Sequence, residues 1–308
     1  MILSVVQAVL LVAGTIVLFR LQRGQDRTLA VTFLLFSATI VTNVDPLYRV
    51  LDPLLGGFNL VTLLSDCLMV AGTSTLLWGV AKAVGASSPR LRNAIVVACA
   101  IVGVVVVVAF TVLDKPPTTT TFMLDAGDHA AAAVYSIAQT LFLGLALGAT
   151  GLICVLRLRE ARTTTDLVGL WLLVLGGALG LVRMVVVVVM DLAHVGGHID
   201  VTRALALPYD VTTPGAVLCV SSGMLLLVVG HQVWRARRTR RVTEAIRRLE
   251  PLHARIGIDN GYPTSTDPDT RLSRLIVEIN DGVRTSRSGL DDHERAVLAE
   301  AEDALDAA

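Results

Sequence analysis

Apolar residues gather in seven long blocks over the first 234 positions, separated by polar segments. The blocks cover residues 2–21, 28–44, 59–83, 93–113, 130–156, 167–190 and 211–234. A bilayer core about 30 Å thick needs roughly 20 residues of helix, and lipid leaves no backbone group unpaired, so the pattern predicts seven transmembrane helices. The second block is the shortest.

Beyond Trp234 the pattern becomes amphipathic. Val242, Ile246 and Leu249 share one helical face; Leu272, Leu275, Ile276, Ile279 and Val283 form a second stripe; Val297, Leu298, Ala301 and Leu305 form a third. A turn-rich stretch with Gly261, Pro263 and Ser265 separates the first two. Asp267 before Pro268 predicts a helix start, Asp291 with Glu294 reads as a capping box, and Arg274 with Glu278 is available as an i, i+4 pair outside the apolar stripe. The predicted architecture is therefore all-α. Residues 1–234 form a seven-span transmembrane domain, and 235–308 form a cytoplasmic tail with a basic juxtamembrane helix, a helix over 268–285 and a last helix over 291–307. Three short helices bury little surface alone, so they are expected to pack together, on the membrane domain or on a partner.

Charge orients the bundle. No Lys or Arg precedes the first block, whereas Arg20, Arg23 and Arg27 follow it, the reverse of a secretory signal peptide. Alternating spans then place Lys82, Arg90, Arg92, Arg157, Arg159 and Arg162 on the same side, against Arg49, Lys115 and Arg203 opposite. The positive-inside rule predicts an external N-terminus and a cytoplasmic tail. Trp78, Trp171 and Trp234 fall near predicted inner ends and Tyr48, Tyr135 and Tyr209 near outer ends, as expected of interfacial aromatics. Composition agrees: 54% of residues are apolar, 17% are charged, and the mean hydropathy is +0.68. The net charge of zero hides a division, because 13 of the 26 Lys and Arg lie beyond Trp234.

Packing cues are present. Gly144 and Gly148, and Gly176 and Gly180, are spaced for close approach of the fifth and sixth helices. Pro214 marks a first turn or a kink. Cys67, Cys99, Cys154 and Cys219 sit in four different blocks and read as small packing residues. Residues 114–128 and 191–209 read as external polar segments.

Two ionisable residues interrupt apolar blocks: Asp66 in the third and Arg183 in the sixth. Each lies about 10 Å from its external end, so they are candidates for an intramembrane ion pair. Outside the membrane, Asp191, His194, His198 and Asp200 form D-x-x-H-x-x-x-H-x-D, and Asp125, Asp128 and His129 share that side. The glycines at 196 and 197 leave the geometry of a metal site unassured, and the segment reads as a polar loop. The chain has no Walker A loop, no H-E-x-x-H and no G-x-S-x-G, so no enzymatic activity, catalytic residue, metal or cofactor is expected. Arg235, Arg237, Arg238, Arg240 and Arg241 follow the last span, a cluster suited to anionic lipid headgroups. No nucleic-acid partner is expected.

The tail carries Leu272-Ser273-Arg274-Leu275-Ile276-Val277-Glu278-Ile279-Asn280-Asp281-Gly282. It resembles L-Y-R-R-V-I-E-I-R-D-G in actinobacterial polytopic membrane proteins of unknown function, often labelled putative transporters. Leu272, Arg274, Glu278, Ile279, Asp281 and Gly282 are kept, while the tyrosine and two arginines are replaced. Upstream, Leu249-Glu250-Pro251-Leu252 resembles the family's L-x-P-L, with His253 in place of a usual tryptophan. The resemblance implies the helical layout and a bacterial plasma membrane, with no established reaction. The leading expectation is a signalling, sensor or scaffold protein whose tail meets a cytosolic partner or a second copy. A small-solute transporter using Asp66 and Arg183 is the alternative, and a membrane enzyme comes third.

Overall fold

The computed structural model describes residues 12, 14–16, 27–83, 85–113, 118–119, 129–161, 163–256, 267–285 and 290–306. The first predicted span lies outside them apart from Val12 and residues 14–16, which are helical. Arg20, Arg23, Arg162, Asp125, Asp128, the stretch 258–266 and the Arg235 side chain also lie outside.

The labelled elements are α1 (Thr28–Thr42), α2 (Asp45–Leu54), α3 (Leu60–Ala83), α4 (Pro89–Val112), α5 (Ala130–Arg157), α6 (Thr164–Val195), α7 (Ile199–Ile256), α8 (Pro268–Thr285) and α9 (Asp292–Asp306). A 3₁₀ turn, Leu158–Glu160, follows α5. Among the described residues five helices, α3 to α7, are long and apolar enough to cross a membrane, or six when α1 and α2 count as one broken span. The molecule is an all-α, multi-span membrane protein. Its chain divides into two compact units, Met1–Val228 and Val229–Ala308.

The second predicted span is not one straight helix. α1 has 15 residues, about 22 Å, and the chain then turns by 89° into α2. Asn43 and Val44 leave the helix, and Pro46 sits in the first turn of α2, where a missing N–H costs nothing. The segment 191–209 is likewise not a loop. α6 runs on to Val195, Gly196 and Gly197 make the turn, and α7 starts at Ile199. Polarity there marks departure from lipid, not the end of helical structure. Pro214 accordingly marks no first turn. Upstream of it the Thr212 hydroxyl donates back to the Pro208 carbonyl at 2.7 Å, a local bond within the same helix.

The first unit is built on close approach. A Cβ on Gly177 of α6 would stand 2.7 Å from the Leu147 carbonyl oxygen and 3.0 Å from the Gly151 Cα of α5. Gly144 and Gly148 take the side chains of Met184 and Leu181, so α5 and α6 are the neighbours the glycine spacing predicts. Gly176 instead faces Val220 of α7. α1 and α3 are joined by small polar groups: Thr32 donates to Thr75 at 3.0 Å, and Thr39 to the Ser65 carbonyl at 3.3 Å. Phe33, Phe36, Leu76, Leu173, Val220 and Met224 form the main apolar core.

The second unit closes a core of its own. Val242, Ile246, Leu249, Leu252 and Ile256 of α7 pack with Leu272, Leu275, Ile276 and Ile279 of α8 and with Leu298 and Ala301 of α9. Asp267 accepts the Thr270 N–H at 3.1 Å, and Asp291 and Glu294 exchange both capping-box bonds. The chain itself therefore covers the α8 stripe, which is no open docking surface.

Candidate intramembrane site

Asp66 is half-buried on α3. Tyr135 of α5 donates its hydroxyl to the Asp66 carboxylate, and Gln139, one turn along the same face, donates to it as well. Tyr135 is only 1% exposed and stacks at a tilt on Phe110 of α4, ring centroids 6.0 Å apart. Burial fixes the phenol, and its O–H then needs an acceptor. Tyr135 is thus no interfacial belt residue. The same correction holds for Tyr48, which is buried and bonded to Asn59 at 2.9 Å and Thr62 at 2.8 Å.

Arg183 of α6 donates its Nε–H to Thr213 of α7 at 3.0 Å and lies 5.7 Å over the Tyr209 ring. It is within electrostatic reach of both Asp66 and Asp191. Asp191, two turns along α6 from Arg183, bonds to Ser136 of α5, while its Oδ2 is buried without a hydrogen-bond partner. α3, α5, α6 and α7 thus supply one polar cluster. Asp66 and Arg183 belong to it, but their hydrogen bonds go to Tyr135, Gln139 and Thr213. Chemically, the cluster offers two carboxylates, one guanidinium and one unfilled acceptor, a set able to exchange protons or hold a small cationic or hydrogen-bond-donating group.

Sequence reasoning missed Tyr135, Gln139, Ser136 and Thr213 as members. The i, i+4 spacing of Tyr135 and Gln139 was the available signal. It also missed a second buried carboxylate, Asp52 of α2. This residue is fully buried and accepts the Asn59 N–H at 3.0 Å, the Val61 N–H at 3.0 Å and the Thr118 hydroxyl at 2.7 Å. Asp52 caps the start of α3 and holds Phe58 and Asn59 at φ values of 70° and 61°, a conformation side chains rarely adopt. Its role is to lock the turn before the span that carries Asp66.

In the tail, most of the motif residues pack. Leu272 and Ile279 are fully buried, and a Cβ on Gly282 would collide with the Ile256 carbonyl. Glu278 does not sit outside the stripe as its spacing suggests. It is 5% exposed, receives Arg274 Nε at 2.7 Å and meets His253 Nε2 at 2.7 Å. Asp281 is exposed. Of the basic cluster, Arg237, Arg240 and Arg241 are exposed, and Arg238 pairs with Asp269 at 3.0 Å.

Among the described residues no group of three or more His, Cys, Asp or Glu is placed to hold a metal ion. No family model, curated protein or solved structure matches the chain.

Proposed function

We propose that the protein is a bacterial plasma-membrane sensor or scaffold, with seven spans, an external N-terminus and a cytoplasmic tail that acts on a partner. The observation carrying this reading is the tail, a helical unit with its own apolar core in a chain otherwise devoted to the membrane. A folded cytosolic unit is an output surface that a bare bundle lacks. Because the α8 stripe is covered, the partner or second copy meets the outer side of α8, where Val277 is 54% exposed beside Asp281. The resemblance to the actinobacterial family fits this reading, since Leu272, Arg274, Glu278, Ile279 and Gly282, among the residues kept, build the unit. Crosslinking and pull-down with and without residues 235–308 tests it. A cytosolic partner captured only with the tail supports signalling, and no tail-dependent partner contradicts it.

The second reading is a small-solute transporter. The polar cluster around Asp66 and Arg183 favours it, because four helices contribute polar groups to it. Solute flux in proteoliposomes that is lost in Asp66→Asn would support transport over signalling.

A further inference from the structure

Sequence alone gives the segment after Trp234 a general attraction for anionic lipid. The structure sorts its arginines. The Arg238 guanidinium lies 5.6 Å over the Trp234 ring and 3.0 Å from Asp269, so its position is fixed. Its Nε–H is buried and has no acceptor. Among the described residues no carboxylate pairs with Arg237, Arg240 or Arg241. A cavity of about 140 Å³ is bounded by Trp234, Arg237, Arg238, Arg241 and Ala304, with no acidic side chain among the described residues of its wall. A larger groove of about 540 Å³ shares Arg241 and Ala304 with it. There the charge is largely neutralised: Arg248 meets Glu244 at 3.1 Å and Glu300 at 2.8 Å. The excess of positive charge therefore collects at the smaller cavity.

We propose that this smaller cavity seats the phosphate headgroup of an anionic membrane lipid. The Arg238 guanidinium, held over the Trp234 ring and at Asp269, adds a fixed positive charge to the cavity wall. The guanidinium groups of Arg237 and Arg241 supply forked, charge-assisted donors that suit a phosphate. The depth is also right. Trp234 ends the apolar span, Arg241 stands about 10 Å further along the helix, and headgroups occupy the layer next to the hydrocarbon core. The inference rests on the membrane reading of residues 211–234 and stands whether the protein signals or transports.

The test uses the full chain in phosphatidylcholine nanodiscs doped with spin-labelled phosphatidylglycerol, and reads the immobilised lipid by electron paramagnetic resonance. Wild-type protein should show saturable immobilisation. Arg237→Gln with Arg241→Gln should weaken it about thirtyfold, the combined effect of two surface arginines. Arg247→Gln with Arg295→Gln removes the same charge outside the cavity and should change it less than about twofold. Arg238→Lys keeps the charge but lacks the planar fork held over Trp234, and should weaken binding while leaving nanodisc insertion intact. Equal losses in the two double variants would reduce the effect to diffuse charge and overturn the proposal. So would the absence of saturation, or full affinity in Arg238→Lys. Displacement of the lipid by inorganic phosphate, beyond that caused by chloride at matched ionic strength, would assign the cavity to soluble phosphate and overturn the lipid.

Discussion

A carboxylate within a membrane span needs donors, and Asp66 takes them from Tyr135 and Gln139 on one face of α5. A hydrogen bond to a charged group contributes about 1.5–3 kcal/mol, so Tyr135→Phe should lower thermal stability in detergent by that order. In a double-mutant cycle with Asp66→Asn, the two changes together should cost less than their sum, and strict additivity would show that the bond contributes nothing. Asp66 and Arg183 were legible in the sequence because charges stand out in apolar blocks. Tyr135 was not, since a tyrosine near a span end reads as an interfacial residue until its burial is known. The glycines divide similarly. Gly177 allows backbone contact with α5, and Gly177→Ala should destabilise the bundle by roughly 1–3 kcal/mol through overpacking. Gly103, with nothing near its absent Cβ, should accept alanine without loss. Thermal melts of both variants in detergent check the contrast.

Helix starts in the tail followed the sequence because their chemistry is local: Asp267 before Pro268, and Asp291 with Glu294. The unbroken α7 was illegible, since Pro208 and Pro214 suggest interruption and the polarity between residues 198 and 210 suggests a loop. Burial of Glu278 was illegible for another reason. Beyond Arg274 on the same helix, its partner His253 comes from α7, and only the closed tail brings the two helices together. At the α8 start, the Thr270 hydroxyl and backbone N–H hold the Asp267 carboxyl below the usual carboxylate range. A depressed carboxyl contributes stability above its unfolded pKa and loses it as pH falls through the folded one. Amide protection in the first turn of α8, corrected for intrinsic exchange, should therefore fall as the medium is acidified through and below that range. Asp267→Asn should remove this pH dependence. Identical profiles for the two proteins would contradict the cap. Gly282→Ala should loosen the same unit, because the added methyl meets the Ile256 carbonyl, and faster exchange across α8 would register it.

At the scale of the whole molecule, the sequence conveyed the class of fold through hydropathy, and its charge pattern is the basis for the proposed sidedness of the loops. It did not convey the bend between α1 and α2 at Asn43 and Val44, nor the turn into α3 that Asp52 locks by reaching forward to Asn59 and Val61. Nor did it convey the closure of the tail, which depends on three separated stripes meeting. The proposed topology is a bundle of seven spans that delivers a folded helical unit to the cytoplasm. Single cysteines, introduced into a chain lacking the four native thiols, test it with an impermeant thiol reagent on intact cells. Asp200, Ser87 and Ala299 are exposed and serve as reporters of the outer turn, an inner loop and the tail. That topology predicts labelling at position 200 and none at 87 or 299 until the cells are opened, whereas labelling of position 299 in intact cells would contradict it.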